Sequence, residues 1–113
     1  MARDDYHVIV YQILAYLYVK LKAGETIDPE MLKPESQYLR INERYWLYVM
    51  ENLYKSGYIE GIVFTKAFGG VRFVNNLECC EITPKGIEFL CDNSFMRKAI
   101  SFLKEAKAIV PFV

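Results

Sequence analysis

Histidine and tryptophan occur once each in this chain, cysteine three times, and an excess of either charge is missing, since 14 basic residues face 14 acidic ones. The balance removes the global field that would draw a protein onto nucleic acid or an anionic membrane. A nucleic-acid role must therefore rest on a local patch. Three cysteines, with Cys79 and Cys80 adjacent, make no disulfide framework, because neighbours on a strand point to opposite faces; reduced thiols of a cytoplasmic protein are expected. His7 lies beside Asp4 and Asp5, but no nucleophile completes a catalytic set, and a histidine near a helix start is expected to face solvent. Gly69-Gly70 lacks the helix and lysine of a phosphate-cradling loop, and the scattered carboxylates lack metal-ligand spacing. No enzyme activity, cofactor or metal is expected.

A long apolar run is also lacking. From Val8 to Val19 only Gln12 is strongly polar, but the run contains Tyr11, Tyr16 and Tyr18 and falls well short of the ~20 residues that cross a bilayer. Arg3 is followed by Asp4-Asp5, and no small-residue cleavage site follows Lys20-Leu21-Lys22, so a secretory signal is not expected either. The run reads as a buried helix. With 53% hydrophobic and 25% charged residues among 113, the chain reads as one globular domain spanning residues 1–113.

The most informative stretch runs from Arg40 to Ile62. Asn42 is a good N-cap, its side-chain oxygen able to accept from an unpaired N–H of the first turn. Trp46, Leu47, Met50, Leu53 and Tyr54 then recur at helical spacing and are expected to face the core, and Gly57 supplies the left-handed residue that ends a helix. After Gly57 the pattern becomes strand-like. An amphipathic helix that runs through Ser56-Gly57-Tyr58-Ile59 into a strand has the form of a recognition helix passing into a wing.

The other elements follow in chain order. Asp4 or Asp5 caps a first helix carrying two apolar stripes, Val10, Ile13, Leu14, Leu17 and Leu21 on one and Val8, Tyr11, Ala15 and Tyr18 on the other. Two stripes need two neighbours, the core and either the C-terminal helix or a second copy of the chain. Ala23-Gly24 closes this helix, and Glu25 to Ile27 reads as a short strand of the kind that pairs with a wing. Asp28-Pro29 is an N-cap and first-turn proline, starting a helix of about one turn to Lys33, with a second turn from Pro34 to Tyr38. That order is a helix-turn-helix.

Ile59 to Lys66 reads as a strand, Ala67-Phe68-Gly69-Gly70 as a turn, and Val71 to Ile82 as the returning strand, interrupted at Asn75-Asn76 by a bulge or a second turn. Thr83 caps and Pro84 opens the next helix, in which Ile87 and Leu90 face inward. Cys91-Asp92-Asn93 breaks it. Asn93 or Ser94 caps a last helix with the stripe Met96, Ala99, Ile100, Leu103, Ala106 and Val110, ended by Pro111. The stripe is a natural mate for the second face of the first helix.

The passage from Ile82-Thr83-Pro84-Lys85-Gly86 through Leu90 resembles the hydrophobic-Thr-x-x-Gly-x-x-x-Leu signature that follows the wing in many bacterial winged-helix proteins. Together with Asn52 to Ile62 and the amphipathic helix after Asn93, it resembles the YjcQ family, small winged-helix proteins of low-GC Gram-positive bacteria and their phages. The resemblance covers roughly Tyr6 to Ile109 and departs between Pro29 and Leu39, which is longer here. It implies an α+β winged helix-turn-helix with the long N-terminal helix packed against the C-terminal one, and it supplies no activity.

For a DNA reader the helix from Asn42 to Lys55 enters the major groove with its outward residues Arg44, Tyr45, Tyr48, Asn52 and Lys55. Arg44 is placed for base contact and Asn52 for adenine, while Lys55 and the wing residues Lys66 and Arg72 reach phosphates. Glu43 and Glu51 cancel the helix's positive charge, which weakens attraction to phosphate. The expected function is a DNA-binding regulator, transcriptional or phage-related, acting on double-stranded DNA. The alternative is a protein-interaction or homodimerising module that keeps the scaffold and uses Tyr45 and Tyr48 for contact. Arg97, Lys98, Lys104 and Lys107, offset by Glu105, read as a solvated face, with phosphate contact as the alternative.

Overall fold

Helix α1, Tyr6–Ala23, is apolar on all sides and therefore needs cover on all sides. In the computed structural model, which describes residues 2–105, every residue from Val8 to Leu17 is buried, Gln12 included. Helix α2 (Glu43–Lys55), helix α3 (Pro84–Asp92), helix α4 (Ser94–Glu105) and strand β4 (Glu81–Ile82) surround it. The expected mating of the N- and C-terminal helices is present, with Met96, Ala99 and Leu103 buried between them. Ala106, Lys107, Val110 and Pro111 of that expectation lie outside the described residues. From Val8 to Leu17 both stripes of α1 are thus covered from within the chain, so that part of the second stripe does not await a second copy, while Leu21 at the end of the first stays half exposed. At its ends, Gly24 closes α1 at φ 69°, and Asp5 takes the cap position with its carboxylate accepting from the Ala2 N–H (2.7 Å) rather than from the helix.

Residues 25–41 depart most from expectation. Glu25 to Ile27 forms no strand, because a cleft lined by Leu17, Ile27, Cys80 and Ile82 separates it from β4. The segment is held to α1 instead, through the Asp28 N–H donating to the Tyr16 hydroxyl (2.8 Å). Asp28 and Pro29 do start a single 3₁₀ turn, Pro29–Leu32, capped by Asp28 Oδ1 accepting from the Glu30 N–H (3.0 Å). The second turn, Pro34 to Tyr38, does not become helix. Ser36 Oγ donates to the Met31 carbonyl and accepts from the Leu39 N–H, both at 3.1 Å, the local bonding by which serine competes with helix. The loop is locked from beneath by side chains. Gln12 Nε2 donates to the Tyr38 carbonyl (3.1 Å), the Tyr38 hydroxyl donates to the Gln12 carbonyl (2.7 Å), and Trp46 Nε1 donates to the Leu32 carbonyl (2.7 Å).

Helix α2 starts as its sequence dictates, with Asn42 Oδ1 accepting from the Tyr45 N–H (2.9 Å), and gives way to Gly57 at φ 78°. Its buried stripe is Trp46, Val49, Met50 and Leu53. Leu47 is only half-buried, and Tyr54 is exposed, its ring meeting the edge of Phe64 at 5.4 Å. The expected inward face was rotated too far, since Val49 rather than Tyr54 completes the i, i+3, i+4, i+7 pattern.

The β structure comprises two antiparallel pairs. Strand β1 (Ile59–Glu60) pairs with β4, and β2 (Val63–Lys66) pairs with β3 (Arg72–Asn75) as a hairpin in which Lys66 faces Arg72. The strand expected over Ile59 to Lys66 is divided at Gly61, whose φ of 93° and an approach of 2.0 Å between a would-be Cβ and the Cys79 carbonyl oxygen admit only glycine. The returning strand is divided too, by Asn76 in the left-handed region (φ 61°) and a 3₁₀ turn over Leu77–Cys79.

The Thr-x-x-Gly motif has a local cause. Thr83 Oγ1 accepts from the Gly86 N–H (3.0 Å) and donates to the Gly57 carbonyl, and Gly86 lies so close to Tyr58 that a Cβ would fall 2.3 Å from its carbonyl oxygen. The start of α3 is thereby seated on the end of α2. Asn93 Oδ1 accepts from the Phe95 N–H (2.8 Å) at the head of α4. His7, expected in solvent, is half-buried because α4 covers it; it stacks on Phe95 at 4.2 Å, and its Nδ1 is buried without a hydrogen-bond partner. No described helix is long and apolar enough to cross a membrane. The fold is α+β.

Candidate functional site

The outer face of α2 and the β2–β3 hairpin enclose an open groove of about 970 Å³. Arg44, Leu47, Tyr48, Glu51, Asn52 and Lys55 form one wall, and Gly70, Val71 and Arg72 form the other. Burial of Trp46, Val49, Met50 and Leu53 on the opposite side of the helix fixes which residues look into it.

Five of the seven residues singled out from sequence line this groove. Arg44 is exposed in the first turn, and Tyr48 is 60% exposed with its ring edge to Tyr6 at 6.2 Å. Asn52 donates from its amide to the Tyr48 carbonyl (2.8 Å). Lys55 stands 3.9 Å from Glu51, and Arg72 is bonded to the same carboxylate. Lys66 is exposed at the end of β2 and lines a smaller cleft behind the groove with Tyr54, Phe64 and Arg72.

Tyr45 is half-buried and does not line the groove. Its hydroxyl donates to the Asp4 carbonyl (2.7 Å), tying α2 to the segment before α1; burial, then the carboxylates of Asp4 and Asp5, push its pKa above the usual tyrosine range. A tyrosine one residue beyond the outward Arg44 lies at the edge of the helix face, where a neighbouring segment captures it.

Glu51 is the residue whose role sequence reasoning missed. Counted only as a cancelling charge, it is the hub of the site, its side chain just 12% exposed between Lys55 on its own helix and Arg72 on the hairpin. The i, i+4 spacing of Glu51 and Lys55 carries half of that signal. The Arg72 contact depends on hairpin register, which the sequence alone does not fix. Register also sets Lys66 opposite Arg72, like charges that repel across a strand pair, and Glu51 offsets that repulsion.

The far end of the hairpin is apolar and bare. Phe68 is fully exposed, with Val71 and Phe73 each about half exposed behind it, and Val63 equally so at the root of the hairpin. Gly69 and Gly70 take φ of 80° and 79° with open space around both.

Elsewhere, Arg97, Lys98 and Lys104 lie exposed on α4, Lys98 over the Phe95 ring at 5.3 Å. All three cysteines are free. Cys79 and Cys91 are exposed, whereas burial pushes the Cys80 thiol up to about 12. Among the described residues no cluster of three His, Cys, Asp or Glu side chains is placed to hold a metal ion.

Comparison with known proteins matches the family described as YjcQ protein over residues 11–109. No curated protein and no solved structure matches the chain. Since the matched span takes in most of the sequence, including α2, the hairpin and the Thr83–Gly86 seat of α3, the chain belongs to the YjcQ family.

Proposed function

We propose that this chain is a small, non-enzymatic, cytoplasmic DNA-binding regulator built on a winged-helix plan, with α2 as the recognition helix and β2–β3 as the wing. The observation that carries the reading is the shared groove. The exposed face of α2 with Arg44, Tyr48, Asn52 and Lys55, and the hairpin residues Gly70 to Arg72, open on the same side of the molecule. A helix of 13 residues with one face free is of the size that enters a major groove. In the groove Arg44, Lys55 and Arg72 outnumber Glu43 and Glu51 by one, a small positive excess within a neutral chain. The helix that would precede α2 in a helix-turn-helix is reduced to the single turn at Pro29–Leu32, and the Gln12–Tyr38 and Trp46–Leu32 bonds supply the rigidity a longer helix would give.

Fluorescence anisotropy of a labelled mixed-sequence duplex at low salt tests the reading. Saturable binding in the micromolar range is expected, weakening steeply as salt is added. No binding at tens of micromolar overturns it.

A second reading, association with a protein, is favoured by one observation, the apolar hairpin end with Phe68 bare. Homodimerisation through the second stripe of α1 is not part of it, because Val8, Tyr11 and Ala15 of that stripe are buried within the chain. Sedimentation velocity separates the two: a concentration-dependent dimer lost on Phe68→Ala favours association.

A further inference from the structure

We infer that Phe68 is a wedge that enters the base stack of duplex DNA lying against α2. The inference rests on the DNA reading above and adds to it a mode of contact, deformation of the duplex at the hairpin tip.

Four observations meet at this residue. The Phe68 ring is fully exposed, although phenylalanine is among the side chains that gain most from burial. The two residues after it are glycines in left-handed conformations, and a Cβ at either would meet nothing within 4 Å, so the tip is slender on that side. At the base of the tip, register sets Lys66 directly opposite Arg72, both exposed. Finally, Gly70 and Val71 line the same groove as Arg44 and Tyr48, which points the tip to the side on which a duplex seated on α2 would lie.

A narrow apolar projection with cations at its base suits a duplex, whose stacked bases are apolar and whose flanking phosphates are anionic. Apolar wedges inserted between base steps partly unstack them and kink the helix, and pyrimidine–purine steps yield most easily. A contact of this kind does not depend on phosphate neutralisation, which suits a chain without net charge. Lys66, and Arg72 once it exchanges Glu51 for phosphate, would then hold the phosphates on either side of the opened step.

The test uses the full chain and a duplex carrying 2-aminopurine beside a central TA step, read by anisotropy and by 2-aminopurine fluorescence together. With the natural chain, fluorescence is expected to rise in step with binding as the step opens. Phe68→Ala is expected to bind about tenfold more weakly, the scale of one aromatic–base contact, with an unchanged salt slope and no rise in fluorescence. Phe68→Leu should keep the rise, since a wedge needs bulk. Because Phe68 is fully exposed, both variants should keep the natural urea midpoint. Binding without any fluorescence rise, or Phe68→Ala equal to the natural chain in both readouts, overturns the wedge and leaves the DNA reading standing. Absence of duplex binding by the natural chain overturns both. Loss of a dimer in Phe68→Ala with duplex binding intact assigns the tip to a protein contact and likewise overturns the wedge.

Discussion

The carboxylate of Glu51, on α2, holds the guanidinium of Arg72, on the hairpin, and the same oxygen lies 3.9 Å from Lys55 Nζ. One acidic side chain thus occupies two of the cations a phosphate backbone would need, and binding has to compete with it. Replacing Glu51 by Gln keeps the size and removes the charge. Duplex affinity should rise about fivefold, and the slope of log affinity against log salt should steepen by about one to two, as Arg72 and Lys55 become available to phosphate. Anisotropy titrations between about 50 and 200 mM salt measure both. Unchanged affinity and slope would show that neither cation reaches the backbone.

Two glycines should respond oppositely in size to alanine. At Gly86 a Cβ would lie 2.3 Å from the Tyr58 carbonyl oxygen, so α3 has to lift off its seat. At Gly69 there is room, and only the left-handed backbone resists. Gly86→Ala should cost about 3 kcal/mol or more in urea unfolding, whereas Gly69→Ala should cost about 1 kcal/mol. Similar midpoints for the two variants would contradict the packing of α3 against Gly57-Tyr58.

Tyr38→Phe removes one hydroxyl from the reciprocal pair with Gln12 and leaves the Gln12 carbonyl without that donor inside the core. A loss of about 1–3 kcal/mol is expected by urea denaturation, with faster hydrogen exchange in residues 33–41. An effect within error would mean that water reaches this pair.

Alkaline pH should weaken the fold in a defined window. Burial raises the Cys80 thiol from 9.0 to about 12 and the Tyr11 hydroxyl from 10.0 to about 12. Both groups lose their protons more readily in the unfolded chain. Their contribution is therefore fully present below pH 9 and falls between about 9 and 12, with a slope of about 1.4 kcal/mol per pH unit for each group while it titrates. Urea midpoints measured at intervals from pH 8 upward check this, and Cys80→Val should flatten the first part of the decline.

Much of the fold was legible where a residue acts on its own neighbours. Asn42, Thr83 and Asn93 cap the helices they precede, and Gly24 and Gly57 follow the helices they end. Burial of α1 against α4 followed from apolar stripes, which need no register to read. What stayed hidden depends on partners far along the chain. Gly61 divides a strand because Cys79 passes beside it, Tyr45 is drawn to one side because Asp4 is there, and residues 32–38 are held by Gln12 and Trp46. In the candidate site the outward residues of α2 could be named from the helical repeat, but the grip of Glu51 on Arg72 could not.

The burial of α1 on every side from Val8 to Leu17 has a consequence for synthesis. The helix is translated before part of its sheath, since Met96, Ala99 and Leu103 of α4 come some 80 residues later. Throughout that interval the nascent polypeptide leaves its stickiest stretch without part of its cover, which calls for shielding by chaperones. A ribosome stalled before Ser94 would leave a product unable to sheathe it, and clumping or proteolysis would be its fate.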